Sequence, residues 1–305
     1  MERTRVLAGL VGDTEVFRKV LEERRPQVFR TEEWPPGLPR TGELDAVLRG
    51  GLLRVPYVEM VRAGEVVPAA EFCTARTVAG RREGGFADPD RIAALLADGA
   101  TLLLPQLDQW HASVRALATG IALELGRRTE AFCFATGAGR RGLDVHRDDA
   151  DVLVVQLAGE KEWTVHEAPA DGRWHPGPAP EPGAVALESV LRPGEVLYVP
   201  RGAPHMATGR QGLSVHLSFT IREAGTGRLR DAVGEWLAAG GWANALPQRP
   251  ATEAELLATA AEVLRLGRAR LAELTAEELL RLARGPLPEP VGDDAAAPGR
   301  GPLTV

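Results

Sequence analysis

The sequence predicts an α+β protein whose centre is a sandwich or small barrel of short strands, with helices on both sides. From Phe132 onward, apolar residues occur in short runs of period two, separated by turns rich in glycine and proline. Before that point, and again after Glu223, apolar residues recur at helical spacing. The predicted parts are a helix and strand region at 1–84, the barrel at 85–222, a helical region at 223–284 and a flexible tail at 285–305.

Composition and charge narrow the class of protein. The 305 residues are 44% hydrophobic and 26% charged, as in ordinary globular proteins, and the net charge of -6 disfavours a general nucleic-acid binder. Cys73 and Cys133 are the two cysteines, which fits a reducing compartment and no disulfide framework. No apolar run approaches the roughly 18–20 residues that span a bilayer, and MERTRVLAGLVGD lacks the apolar core of a signal peptide. We therefore expect a cytoplasmic protein without a membrane segment.

The segments before the barrel alternate between helix and strand. A helix within about residues 1–30 is expected to precede a short strand in RRPQVFR. Thr41 is placed to cap the helix GELDAVLRG, and Asp88 to cap DPDRIAALLADG. LLRVPYVEMVR and ATLLLPQL are strand-like, Gly80–Gly85 is expected to be a charged turn, and Trp110–Arg127 is an amphipathic helix.

The barrel and the region after it differ in period. The predicted barrel strands are FCFAT, DVLVVQL, KEWTV, EVLYVP and SVHLSFTI. After Glu223 the sequence predicts three helices, the second capped by Thr252 and the third by Thr275. Their Leu and Ala stripes between residues 253 and 283 are interpreted as a dimer face or a core face.

One stretch carries most of the predicted chemistry. In GLDVHRDDADVLVVQLAGEKEWTV, His146 and Asp148 are two residues apart, so in an extended strand both point to the same face. LRPGEVLYVPRGAPHMA brings His205 from a turn that follows a strand. Two histidines and one carboxylate form the ligand set of non-haem Fe(II) oxygenases and leave coordination positions open.

Other residues could take part instead. His216 in SVHLSFTI could be the ligand in place of His205, although the turn PRGAPH favours His205. Asp149 or Asp151 could compete with Asp148; a regular strand points Asp149 to the other face, and Asp151 fits a strand start.

The remaining polar candidates are a lysine and three histidines. Lys161 is one of two lysines and follows the apolar strand, where it is either a cavity residue or a surface strand residue. His111, His166 and His175 are most simply surface or loop residues.

Two segments, FCFATGAGRRGLDVHRDDADVLVVQLAGEKEWTV and PGEVLYVPRGAPHMATG, together resemble the JmjC-type, cupin-fold 2-oxoglutarate oxygenases of the ribosomal-oxygenase-like branch. DGATLLLPQLDQW adds weaker support, and the resemblance covers about residues 85–222. It implies a double-stranded β-helix (jelly roll) with flanking helices, often followed by a helical dimerisation region. It also implies that His146, Asp148 and His205 bind Fe(II), and that Lys161 binds the distal carboxylate of 2-oxoglutarate.

The resemblance extends to further site residues and to the function. Thr136 and Ser218 are candidates for cosubstrate binding by strand position, with Gln156 and Trp163 as additional candidates near the site. The implied reaction uses Fe(II), 2-oxoglutarate and O₂ to hydroxylate a side chain, arginine or histidine first, in a protein or a natural-product precursor peptide. A cupin metalloenzyme without a keto acid and a non-catalytic cupin binding module are the alternatives.

The chain also departs from the pattern of this branch. Phe132 stands where many relatives have asparagine, and Thr136-Gly137-Ala138-Gly139 replaces a proline-rich turn, which alters the wall of the site. The region after residue 223 is short for the winged-helix module of the ribosomal enzymes. The expected partners are a protein or peptide substrate and a second copy of the chain, with no nucleic acid and no membrane.

Overall fold

The computed structural model describes residues 6–31, 33–140 and 142–290. Its chain forms two compact units: the first contains the described residues up to Arg222 and again from Pro288, and the second spans Glu223–Leu287. In the described part of the first unit, the helices are α1 (Val6–Val11), α2 (Thr14–Glu23), α3 (Thr41–Arg49), α4 (Ala69–Phe72), α5 (Pro89–Ala97), α6 (Leu107–Trp110) and α7 (Ala112–Leu125).

The strands of the same unit account for most of its regular structure. They are β1 (Gln27–Phe29), β2 (Glu59–Arg62), β3 (Glu65–Val66), β4 (Cys73–Val78), β5 (Arg81–Ala87), β6 (Thr101–Leu104), β7 (Thr129–Thr136), β8 (His146–Arg147), β9 (Ala150–Ala158), β10 (Lys161–His166), β11 (Gly177–Pro178), β12 (Val185–Leu191), β13 (Val196–Val199), β14 (His205–Gly209) and β15 (Ser214–Arg222).

Two antiparallel sheets form the body of this unit. The larger has the strand order β1-β13-β9-β15-β7-β6-β2-β3, and the smaller has the order β11-β8-β14-β10-β12. Strands β4 and β5 make a separate hairpin. A cavity lies between the two sheets, lined by side chains from both. The predicted α+β class, with a two-sheet body of short strands, is therefore confirmed.

Strand β9 explains why the sheets hold together. All but the last of its residues are buried. Leu153 and Val155 pack into the main core, whereas Val152 and Val154 pack into a second cluster with residues of the smaller sheet. A strand buried on both faces has an almost continuous apolar sequence, as DVLVVQL has.

Helix α2 closes the outer face of the larger sheet. Phe17 is fully buried, and its ring meets Tyr198 of β13 edge to face at 5.7 Å and Phe29 of β1 at 5.9 Å. Edge-to-face aromatic pairs contribute about 0.5–1.5 kcal/mol beyond the apolar area that they bury. The N-terminal helices thus cover the sheet on the side away from the cavity.

Several details differ from the sequence-based expectation. The charged turn expected at Gly80–Gly85 is wrong, because the turn is Ala79-Gly80 and the next residues form strand β5. Both turn residues have positive φ, 46° and 79°, as a two-residue hairpin of type I′ requires. LLRVPYVEMVR contributes a strand only at its end, since β2 begins at Glu59. Strand β12 was not predicted.

The second unit consists of α8 (Thr226–Ala238), α9 (Glu253–Ala272) and α10 (Ala276–Arg284). Thr252 and Thr275 begin α9 and α10 with capping boxes, as the sequence predicted. Thr41, in contrast, is the first residue of α3 rather than its cap. Among the described residues, no helix combines the length and the apolar character needed to cross a membrane.

Candidate functional site

His146, Asp148 and His205 meet at one end of the cavity. His146 lies on β8, Asp148 directly follows that strand, and His205 begins β14, where it pairs with His146 across the sheet. The Nε2 atom of His205 is 3.5 Å from Oδ2 of Asp148, and that of His146 is 3.8 Å from Oδ1. The candidate ligand atoms all lie within 4.8 Å of one another, so a single metal ion could contact all three side chains.

Backbone carbonyls fix the direction of both imidazoles. Nδ1–H of His146 donates to the carbonyl of Asp144 at 2.8 Å, and Nδ1–H of His205 donates to that of Ala203 at 3.0 Å. Each ring therefore offers the lone pair of Nε2 toward Asp148. Burial, together with the neighbouring His146, lowers the pKa of His205, which favours the neutral form that binds metal.

The competing acidic residues are engaged elsewhere. Asp151 is 6% exposed and accepts hydrogen bonds from the Tyr198 hydroxyl at 2.8 Å and the Arg201 amide at 3.0 Å. Asp149 forms an ion pair with Arg201 at 2.6 Å. Of the three candidate aspartates, Asp148 is the one that the structure places beside both histidines.

Asp151 also holds the turn that presents His205. It fixes the amide of Arg201, while the carbonyl of Arg201 accepts a hydrogen bond from the Arg24 guanidinium at 2.9 Å. The amide of Gly202 donates to the carbonyl of Asp148 at 3.0 Å, which ties the turn directly to the other ligand segment. The position of His205 thus depends on contacts that no local motif reveals.

Lys161 lies at the closed end of the cavity. It is 2% exposed, which excludes the alternative of a surface strand lysine. Its Nζ donates to Oγ1 of Thr136 at 3.2 Å and to Nδ1 of His216 at 3.3 Å. Within the described parts of the chain, no carboxylate forms an ion pair with it, and burial lowers its pKa to about 7. A buried lysine without an acidic partner favours an anionic ligand.

Aromatic rings connect the two ends. The Trp163 ring centroid is 6.1 Å from that of His205 and 5.4 Å from that of His216. His216 stacks on Phe134 at 4.9 Å, and burial lowers its pKa well below the ordinary value. Its Nδ1 lies 3.3 Å from Nζ of Lys161, and the cluster of candidate ligands among the described residues does not include it, so His216 is a wall residue. The cavity has a volume of about 300 Å³, and Val154 adds to its apolar lining.

The other sequence candidates divide into two groups. Ser218 lines the cavity, and Thr136 contacts Lys161, so both lie in or beside the cavity, as the sequence predicted. Gln156 does not reach the site, because its amide donates to Ser214 and to backbone carbonyls. His166 is buried, contrary to the expectation of a surface residue, and donates to the carbonyl of Gly183.

Thr101 and Gly142 are among the cavity residues that the sequence analysis did not identify. Thr101 reaches the site because β6 pairs with β7 in a register that places it opposite Thr136, and the two hydroxyls are 3.2 Å apart. No local signal identifies either residue. His146 and Asp148, in contrast, are two residues apart, a spacing that strand geometry explains.

Comparison with known proteins agrees with this architecture. The JmjC domain family matches residues 96–229. Ribosomal oxygenase 1 of Rattus norvegicus is 28% identical over 224 residues, which cover 69% of this chain and 35% of that protein. A Drosophila simulans protein named bifunctional lysine-specific demethylase and histidyl-hydroxylase NO66 is 28% identical over 144 residues, 45% of this chain and 17% of its own length. The chain thus spans well under half the length of these relatives.

Among solved structures, the fold is similar to that of YcfD, a ribosomal oxygenase from Escherichia coli crystallised in complex with cobalt and 2-oxoglutarate. The TM-score is 0.54 at 19% identity, and the match covers 86% of this chain and 68% of YcfD. The sequence resemblance and the double-stranded β-helix that it implied are confirmed. Residues 96–229 thus match the JmjC domain, and the chain is similar to the ribosomal oxygenases.

Proposed function

We propose that the protein is an Fe(II)- and 2-oxoglutarate-dependent oxygenase that hydroxylates a side chain of a protein or peptide. One observation carries this proposal: a triad of candidate metal ligands and a buried lysine that has no acidic partner among the described residues occupy the two ends of a single cavity. A keto acid that chelates a metal at one end needs a cation for its far carboxylate at the other. The names of the relatives support the same chemistry.

Each residue has a distinct task in this function. Nε2 of His146, Nε2 of His205 and the carboxylate of Asp148 would hold Fe(II) and leave positions open for two further ligands. When bound, the metal with its keto acid and O₂ supplies the oxidising chemistry. Lys161 would bind the far carboxylate, and the apolar walls around Val154 would exclude water.

The substrate side chain would enter at the open end, where Arg222 lines the cavity and forms an ion pair with Glu130 at 2.8 Å. Arginine and histidine side chains are the first to test, in peptides from ribosomal proteins and from natural-product precursors. Mass spectrometry would detect a gain of one oxygen atom in a peptide. Turnover of 2-oxoglutarate without any modified peptide would move the search to other side chains.

The test of the cosubstrate is an anaerobic titration of the metal-free protein with Fe(II) and then 2-oxoglutarate. We expect the visible metal-to-keto-acid charge-transfer band in the parent, its loss in His205→Ala and its weakening in Lys161→Ala. His175→Ala is the matched control, since that histidine is exposed and outside the site. Iron binding without the band would favour a cupin metalloenzyme that uses no keto acid. Absence of iron binding would favour a non-catalytic binding module.

The protein is further proposed to form a homodimer through α9. This helix has no buried residue, and all but one of its large apolar side chains are exposed; the exposed ones are Leu256, Leu257, Val263, Leu264 and Leu271. Three of them are seven residues apart, so they share one helix face, as in paired helices. Light scattering should give the mass of a dimer for the parent and of a monomer for Leu257→Glu/Leu264→Glu. A monomeric parent contradicts this proposal.

A further inference from the structure

The closed end of the cavity is bounded by three polar side-chain tips and one glycine. The Nζ of Lys161 and the hydroxyl oxygen of Thr101 each lie 3.2 Å from the hydroxyl oxygen of Thr136. All three side chains are buried, and Thr136 has no exposed surface. Gly142 lines the cavity beside them, and its amide donates to the carbonyl of Ala207 at 3.2 Å.

The hydrogen-bond donors of these side chains are suited to bind a carboxylate. A lysine ammonium has three N–H donors, of which one is directed to Thr136 and one to Nδ1 of His216. The hydroxyls of Thr101 and Thr136 share one hydrogen bond, so one of their two protons is used between them. One ammonium proton and one hydroxyl proton remain. Two such donors can serve the two oxygens of one carboxylate group.

The position of Gly142 leaves the space that this group needs. A Cβ atom on Gly142 would lie 3.7 Å from Oγ1 of Thr136, 3.8 Å from Nζ of Lys161 and 3.9 Å from Oγ1 of Thr101, and it would meet no atom at a closer distance. These are ordinary van der Waals contacts, so an alanine fits the empty recess without strain. Its methyl group would occupy the volume through which another group reaches the three tips.

We propose that Thr101 and Gly142 complete the recess for the far carboxylate of the keto acid, and that Gly142 sets the length of keto acid that the recess accepts. This inference rests on the proposed 2-oxoglutarate-dependent function and assigns specificity to two residues outside the triad and Lys161. A side chain at position 142 shortens the recess by about one carbon atom. The recess then favours a dicarboxylate keto acid with one methylene fewer.

The experiment measures equilibrium binding of 2-oxoglutarate and of oxaloacetate, which is one methylene shorter, to the cobalt-loaded protein by calorimetry. We expect the parent to prefer 2-oxoglutarate. Gly142→Ala should weaken 2-oxoglutarate binding about tenfold or more, as a misfit of one methylene does, and oxaloacetate binding by less. Gly84→Ala is the control, because that glycine is exposed and no atom lies within 4 Å of its added methyl group. Cobalt affinity should be the same in all three proteins.

The outcomes separate this inference from the proposed function. A parent that binds neither acid overturns both. This inference alone is overturned if the parent binds 2-oxoglutarate and Gly142→Ala leaves both affinities unchanged. The same holds if Gly142→Ala weakens binding of both acids by the same factor.

A second variant tests the hydroxyl of Thr101. Thr101→Val keeps the shape of the side chain and should weaken 2-oxoglutarate binding about threefold to tenfold, the range of one hydrogen bond. Binding of 2-oxopentanoate, which has no far carboxylate, should not change. Thr77→Val is the control on an exposed strand position. Equal losses for both keto acids, or no loss of 2-oxoglutarate binding, would overturn the role of Thr101.

Discussion

The two ends of the cavity are built in opposite ways. At the metal end, the Asp148 side chain is 40% exposed, and the imidazoles of His146 and His205 are oriented by backbone carbonyls close to them in the chain. At the other end, Lys161 is almost fully buried and contacts side chains from β7 and β15. The metal end is accessible from solvent, whereas the closed end holds a charge away from water.

The difference is also electrostatic. In the triad, the carboxylate of Asp148 and two imidazoles that offer Nε2 lone pairs lie close together, so this end of the cavity attracts a cation. Lys161 has hydroxyl and imidazole partners but, among the described residues, no ion-pair partner. Desolvation of an uncompensated charge is unfavourable, and an anion that enters the recess relieves it. The closed end is therefore expected to contribute affinity and the open end reactivity.

The largest expected effect tests the open end. Asp148→Ala should lower cobalt affinity about 100-fold or more, because it removes the one anionic ligand of the site. Asp149→Ala, at the adjacent position, should have little effect, since Asp149 pairs with Arg201 instead. Calorimetry with cobalt measures both. If Asp149→Ala lost more cobalt affinity than Asp148→Ala, Asp149 rather than Asp148 would be the ligand.

At the closed end, Lys161→Met should lower 2-oxoglutarate affinity about 100-fold, because the buried far carboxylate of the keto acid loses its charged partner. Cobalt affinity should not change.

The same variant should unfold at a higher temperature than the parent in the absence of ligand. Its stability gain should shrink as pH rises from 7 toward 10.5, since the unfolded chain keeps the proton that the folded chain releases at about pH 7. Thermal unfolding at several pH values measures this. A gain that grows with pH contradicts the prediction.

The pH dependence of cosubstrate binding sharpens the comparison. Because burial lowers the pKa of Lys161 to about 7, the amine is mostly neutral in the empty site above that pH, and binding of a carboxylate then requires uptake of a proton. Affinity for 2-oxoglutarate should fall by up to about tenfold per pH unit above pH 7. Lys161→Arg, whose guanidinium remains charged, should give a flat profile. A flat profile in the parent would mean that Lys161 stays protonated.

The smallest effect concerns the turn before His205. Asp151→Asn removes the charge that Tyr198, Arg201 and Arg127 share, and should lower the free energy of unfolding by about 2 kcal/mol. Because the turn is less firmly held, cobalt affinity should fall by less than about tenfold. Chemical denaturation and calorimetry measure the two effects. A loss of cobalt affinity as large as that of Asp148→Ala would indicate that Asp151 is itself a metal ligand.

The sequence by itself determined the features that depend on neighbours in the chain. The spacing of His146 and Asp148 predicted a shared ligand site, because strand geometry relates residues two apart. Thr252 and Thr275 predicted helix starts, because a capping box is complete within four residues. The apolar run of β9 predicted a buried strand, and its family motif indicated the double-stranded β-helix.

Only the tertiary structure decided the features that depend on sheet register. Thr101 and Thr136 are 35 residues apart in the chain, and their hydroxyls meet because β6 pairs with β7. Gln156 lies on a core strand, but its side-chain amide donates to Ser214 rather than facing the cavity, and the local sequence does not predict this contact. Strand pairing can shift by one residue and send every side chain to the opposite face, so it is set by the packing of the whole sheet rather than by local sequence. The residues of the closed end are therefore brought together by the fold.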